Sequence, residues 1–371
     1  MGTFLLRALL GLVVLLVAAA GAGLGWRAWR QHENAVALAI TSPRGIDEQH
    51  FVRLGGIAQW ISIRGEDRAN PVILVMHGGP AMSYMAFTAM FQPWEKYFTV
   101  VQWDRRGSGK TYGFNGAAGS GTLTLDRIAN DGIELAAYLR GHLHKKKIVL
   151  MGHSMGSLPG VMMAMRRPDL FHAYVGTDMI VAMAENEAES YRLMREALHR
   201  QGNSDAEARL AKIGPPPYAA SSDWGAKQGM MSEADPAYRR VMRGYVVPAL
   251  LTSPSYSLRD LYDFAMANPF SIGRLYPEWM AFDARRLGTD FRLPVVVLQG
   301  DSDLMAPTEL AVRYFNTIHA PAKQIHLLKG VGHNSMFSAP ERFLDELVRY
   351  VRPLAVEGER TVAATDGGDS R

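Results

Sequence analysis

Gly152-His153-Ser154-Met155-Gly156 is the run whose spacing most directly suggests chemistry: a serine with glycine two places away on either side. It follows the apolar stretch Ile148–Met151 and opens a helical pattern that continues to Arg166. A sharp strand-to-helix turn forces the serine backbone into a strained conformation, which only small flanking residues tolerate. The turn projects the hydroxyl into a cleft, with a helix N-terminus behind it to favour a developing anion. A hydroxyl is a weak nucleophile without a neighbouring base, and histidine supplies one near neutral pH. Among the eleven histidines, His333 stands in a glycine-rich loop after the last apolar run, Gly330-Val331-Gly332-His333-Asn334. A chain order of serine, acid, histidine places the acid after the preceding strand, where Asp301 and Asp303 follow Val295–Gln299. Asp303 is the better candidate, because Asp301 is placed to bond its own backbone in the turn. Its role would be to hold the imidazole tautomer and stabilise the imidazolium. His77-Gly78-Gly79-Pro80 follows Val72–Met76. The N–H groups of Gly79 and Met155 are therefore the expected oxyanion hole.

These residues need a scaffold, and the pattern of the chain describes one. Short β-rich runs at 57–63, 72–76, 98–103, 148–151, 173–176, 295–299 and 325–328 alternate with helical stretches at 126–143, 155–166, 307–318 and 340–351. Most of the runs are continuously apolar, as in strands covered on both faces. The expected fold class is α/β, a mostly parallel sheet with helices on both faces. Residues 179–293 show only helical patterns, broken by Gly214-Pro215-Pro216-Pro217 and Asn268-Pro269. They are too many for a loop and predict a helical cap inserted before the acid-bearing strand. The two parts of the core are then residues 48–178 and 294–353.

The ends differ in character. Ala8 to Trp26 carries no charge, close to the roughly 20 residues that cross a bilayer core. Residues 1–26 are expected to be a single-pass N-terminal membrane anchor, with the catalytic body on the extracytoplasmic side. The alternative is a signal peptide cleaved near Ala18-Ala19-Ala20, giving a secreted protein. Residues 27–47 are expected to be a polar linker and 354–371 a flexible tail.

Composition excludes several classes. The 371 residues include no cysteine, which removes disulfides, thiolate zinc sites and a cysteine nucleophile. The net charge of +4 is scattered, and its one compact basic run, Lys145-Lys146-Lys147, reads as a solvated strand entrance, so nucleic acid is not an expected partner. Gly109-Lys110-Thr111 fails as a phosphate loop because Asp104 stands where the pattern needs glycine. Gly21-Ala22-Gly23 lies in the apolar segment, with Trp26 where a dinucleotide fingerprint needs its third glycine. No cofactor or metal is expected. An epoxide hydrolase or dehalogenase is disfavoured, because its nucleophile would be aspartate. The expected partners are a small peptide or ester substrate and a lipid bilayer.

Taken in order, His77-Gly78-Gly79-Pro80, Asp104-Arg105-Arg106-Gly107-Ser108-Gly109, the turn at Ser154 and His333 resemble the proline iminopeptidase branch of the α/β-hydrolases, a family of serine peptidases. The resemblance covers roughly residues 51–352. It implies release of an N-terminal residue, often proline, with carboxylates of the cap holding the free amine. Ala81 departs from the family, which usually has a further glycine there. No match to the amine-binding glutamates is legible either; Glu185, Glu187 and Glu189 read as a solvated helix face. An esterase or amidase, or a catalytically silent binding protein on the same fold, are the alternatives.

Overall fold

The computed structural model describes residues 2–366, with side chains through Glu359. Its strands are β1 (Ile46–Leu54), β2 (Ile57–Gly65), β3 (Val72–Met76), β4 (Thr99–Asp104), β5 (Ile148–His153), β6 (Phe171–Thr177), β7 (Val295–Gly300) and β8 (Lys323–Leu328). They form one sheet in the order β1-β2-β4-β3-β5-β6-β7-β8. The pairings β1/β2 and β2/β4 are antiparallel, and the rest are parallel. Strands β3, β5, β6 and β7 are buried along their whole length. Alternation divides their side chains between two cores. Leu74 and Met76 join Ile128, Leu135 and Leu158, whereas Ile73 and Val75 join Phe91, Trp94 and Phe343. Helices therefore cover both faces, which explains why these strands read as unbroken apolar runs.

Strand β1 has no counterpart among the expected strands. It is an edge strand whose burial alternates, with Asp47, Gln49, Phe51 and Arg53 more exposed than their neighbours. Polar residues at an edge hide a strand from a hydrophobicity reading and protect it from pairing with other chains.

Between β6 and β7 the chain is helical. Met183–Arg200, Ser204–Ile213, Ser221–Gly229 and Met231–Ala234 come first. Pro236–Val241 then runs through a π-turn at Met242–Val246 into Val247–Thr252, and Leu258–Met280 follows. Ser257 caps this last helix by accepting from Asp260 N–H while the Asp260 carboxylate takes Ser257 N–H.

Both ends correct the expectations. The supposed linker at 27–47 is helical through Ala37, continuous with the apolar segment in one helix, Gly2–Ala37. Arg27, Gln31 and Asn34 share a face at helical spacing. Arg27 donates to the carbonyls of Leu251 and Tyr256, Gln31 to Ser253 and Tyr256, and Asn34 to Thr252. These polar side chains dock the helix. The supposed tail begins with a helix, Arg352–Asp366, whose Ala355 is fully buried and whose Glu359 lies 3.0 Å from His172 Nε2. The end of that tail, residues 367–371, lies outside the described residues. The helix Gly2–Ala37 is long and apolar enough to cross a membrane, and its most apolar stretch is not buried at all.

Candidate functional site

The C-terminal ends of β3, β5, β6 and β7 meet at one cavity. At the end of β5, Ser154 has φ +50°, the left-handed region that side chains avoid. Its two glycines are sterically required. A Cβ on Gly152 would lie 2.9 Å from Gly156 O, and one on Gly156 would lie 2.2 Å from Met76 O. The turn thus packs backbone against backbone, and Ser154 Oγ is left facing the cavity.

The loop after β8 brings His333 there. Ser154 Oγ and His333 Nε2 are 3.1 Å apart, and His333 Nδ1–H donates to Asp303 Oδ2 at 2.8 Å. All three residues are buried. Asp303 follows β7, where Gln299 Nε2 donates to its Oδ2 and the N–H groups of Met305 and Ala306 donate to its Oδ1. Burial alone would lower the His333 pKa, but the Asp303 charge and hydrogen bond outweigh it and raise His333 above its ordinary value. Asp301 stays outside this chain of contacts. Its Oδ1 accepts from Ser302 Oγ and, instead of the backbone of its own turn as expected, from Gly330 N–H in the loop after β8, on the exposed surface.

Gly78 and Gly79, just after β3, line the cavity beside Ser154. Gly78 N–H is taken by Tyr84 Oη at 3.0 Å, whereas Gly79 N–H has no partner among the described residues. Gly79 has φ +57°, and its carbonyl accepts from Arg105, the first arginine of the run that carried the family resemblance. Arg106, the second, pairs with Asp131 in the core and bonds the carbonyls of Gly55 and Ser120. Gly79, Met155, Ser154 and His333 all line the same cavity.

A second buried network went unread in the sequence. His153 Nε2 lies 3.2 Å from Asp178 Oδ2, and His153 Nδ1 is hydrogen-bonded to Tyr84 Oη. Asp178 also accepts from Ser335 N–H at 2.7 Å and from Gly300 N–H at 3.2 Å. Burial by itself would raise the Asp178 carboxyl, yet the hydrogen bond from His153 and the charges of His153 and His333 hold it below its usual value. An ionised Asp178 makes His153 Nε2 the donor, so Nδ1 accepts from Tyr84 Oη–H and Tyr84 accepts from Gly78 N–H. One carboxylate therefore connects the ends of β3, β5, β6 and β7 and the His333 loop. The available signal was Asp178 itself, a carboxylate one residue past a buried strand.

The cavity measures about 350 Å³ and is walled by Phe87, Trp224, Met242, Ile272, Met305 and Phe337 among others. Among the described residues, its one acidic wall residue is Glu187. The expected solvated helix face fails here: Glu187 is buried and bonded to the equally buried Lys227 at 2.9 Å, with Lys227 Nζ also donating to Ser190. Glu185 and Glu189 do sit at the surface, paired with Arg285 and Arg192.

Known proteins resemble this chain in sequence and fold. The chain is 28% identical over 316 residues to the Probable aminopeptidase YbaC of Bacillus subtilis, covering 84% of this chain and 99% of that one. In fold it is similar to the proline iminopeptidase of Mycobacterium smegmatis (TM-score 0.58, 18% identity, 84% and 100% of the two chains). It is also similar in fold to a bacterial membrane phospholipase A (TM-score 0.60, 17% identity, 94% and 98%). Proline iminopeptidases thus stand among its structural neighbours, as the motifs implied. Residues 72–346 match the Alpha/beta hydrolase family, and with most of its length accounted for in this way the chain belongs to that family.

Proposed function

We propose that the protein is a serine hydrolase in which Ser154 is the nucleophile, His333 the general base and acid, and Asp303 the residue that orients it. The observation carrying this reading is the unbroken Ser154–His333–Asp303 contact chain. Ser154 Oγ attacks the substrate carbonyl carbon as its proton passes to His333 Nε2. The tetrahedral oxygen accepts hydrogen bonds from Gly79 and Met155 N–H. Collapse expels the leaving group, which takes the proton from His333. Water, deprotonated by His333, then attacks the acyl-enzyme, releases the acid and restores Ser154. Asp178 and Tyr84 are positioning residues, holding Gly78 so that Gly79 N–H faces the substrate. The helices at 183–280 act as the cap over the acyl pocket.

The acyl group we infer is neutral and apolar, carried by an ester or amide. A free ammonium would need an uncompensated carboxylate, and Glu187 already pairs with Lys227. The second reading is an aminopeptidase, favoured by the name of the Bacillus subtilis relative. Hydrolysis of p-nitrophenyl acyl esters against prolyl and other aminoacyl p-nitroanilides separates them. Higher kcat/KM on the neutral esters supports the first reading. Preference for free-amine substrates, lost when the amine is acylated, would establish the second.

The helix Gly2–Ala37 is read as a retained anchor with the hydrolase on the extracytoplasmic side. Docking of Arg27, Gln31 and Asn34 onto residues 251–256 supports a segment that stays with the mature protein. A mature N-terminus beginning near Gly21 would instead make it a cleaved signal.

A further inference from the structure

The docked helix constrains where the rest of the molecule lies. If residues before Trp26 occupy the hydrocarbon, Trp26 and Trp29, both more than half exposed, sit at its boundary. Arg27, one position further, donates directly to Leu251 O and Tyr256 O. The loop 251–256 is therefore held at the membrane surface, because one residue of helix advances only about 1.5 Å.

The two helices flanking that loop each have two faces. On the first, Tyr238, Met242 and Val246 line the substrate cavity, whereas Arg239, Arg243, Val247 and Leu251 point to solvent. On the second, Asn268 and Ile272 line the cavity, whereas Leu258, Tyr262 and Met266 follow one another at four-residue spacing on the outside. Val247, Leu251, Leu258, Tyr262 and Met266 are between 41% and 57% exposed. Such a run of large apolar side chains on a soluble face marks an interaction surface. Basic residues edge it: Arg239, Arg240 and Arg243 are exposed and form no ion pair among the described residues. The sole acid between 239 and 262, Asp260, caps its own helix and faces Lys110. Apolar residues on one face with unpaired arginines beside them is the pattern of helices that lie in a membrane interface.

We propose that this face of the two helices is a second membrane contact, seated at the boundary between headgroups and acyl chains, with Arg239, Arg240 and Arg243 at lipid phosphates. The occupant is the bilayer that holds the anchor, and continuity with the docked helix selects it over a protein partner. The proposal rests on reading Gly2–Ala37 as a retained anchor.

The absence of native cysteine permits a direct test on the full chain. Single substitutions Leu15→Cys, Leu251→Cys, Tyr262→Cys and Leu327→Cys, each labelled with bimane, are reconstituted into phosphatidylglycerol vesicles with brominated acyl chains. Leu327 is an exposed residue of the distant edge strand β8 and serves as the solvent control. The proposal expects the labels at 15, 251 and 262 to lose most of their emission while that at 327 keeps it. Quenching at 15 without quenching at 251 and 262 overturns the second contact and leaves the anchor standing. No quenching at 15 overturns the anchor and the contact together.

Discussion

At the scale of single residues, the site separates two aspartates two positions apart. Asp303 bonds His333 and Asp301 accepts from Gly330 N–H at the surface, so their amides should behave differently. Asp303→Asn should lower kcat by roughly four orders of magnitude, because the wrong imidazole tautomer then faces Ser154. Asp301→Asn should leave kcat nearly unchanged and cost about 1 kcal/mol of stability. Steady-state kinetics with urea unfolding reads both, and the reverse ranking would exchange their roles. The pH profile tests the surrounding charges. In the proposed mechanism His333 must be neutral to accept the serine proton, so activity should fall as pH drops through its pKa. That pKa is raised, so the acidic limb of kcat/KM should centre above the ordinary imidazole value of about 6.5. Asp178 contributes to that rise, and Asp178→Asn should move the limb to lower pH, whereas a purely structural aspartate would lower kcat without moving it.

At the scale of elements, steric fit and buried pairing set the predictions. Gly156→Ala drives a Cβ toward Met76 O at 2.2 Å, backbone against backbone. A destabilisation of about 1–3 kcal/mol is expected in urea unfolding, with loss of activity because β3 and β5 must part. Lys227→Met leaves Glu187 uncompensated in the cap and should cost about 3–5 kcal/mol. The double variant Lys227→Met with Glu187→Leu should recover most of it. If the single variant is harmless, the pair is not closing the pocket to a substrate amine. Much of this level was legible beforehand, for physical reasons. β3, β5 and β7 are covered on both sides, so burial wrote them as apolar runs, and the turn at Ser154 is so tight that glycine spacing marks it. β1 escaped because an edge strand alternates polar and apolar residues. Glu187, Lys227 and Asp178 escaped because their meaning depends on partners that only folding supplies: Glu187 meets a lysine forty residues later, and Asp178 gathers donors from three other elements.

At the scale of the whole molecule, the apolar helix is part of the folded body rather than a tether on a flexible strap. Arg27, Gln31 and Asn34 looked like linker polarity because their acceptors lie more than two hundred residues later. Replacing all three with alanine should free the loop 251–256. Trypsin should then cut at Arg259 faster than in the parent chain, while turnover of a soluble ester persists; an unchanged cleavage rate would mean that the docking is not holding the cap. The proposed hydrolytic centre, in contrast, depends on groups gathered across the sheet from four strand ends and one late loop. Its most direct test is intact-mass analysis of the full chain after a fluorophosphonate, with peptide mapping of the adduct. The expected result is one covalent adduct, on Ser154, absent in Ser154→Ala and strongly slowed in His333→Ala. An unlabelled chain, or an adduct on another residue, would contradict the assignment of Ser154 as nucleophile.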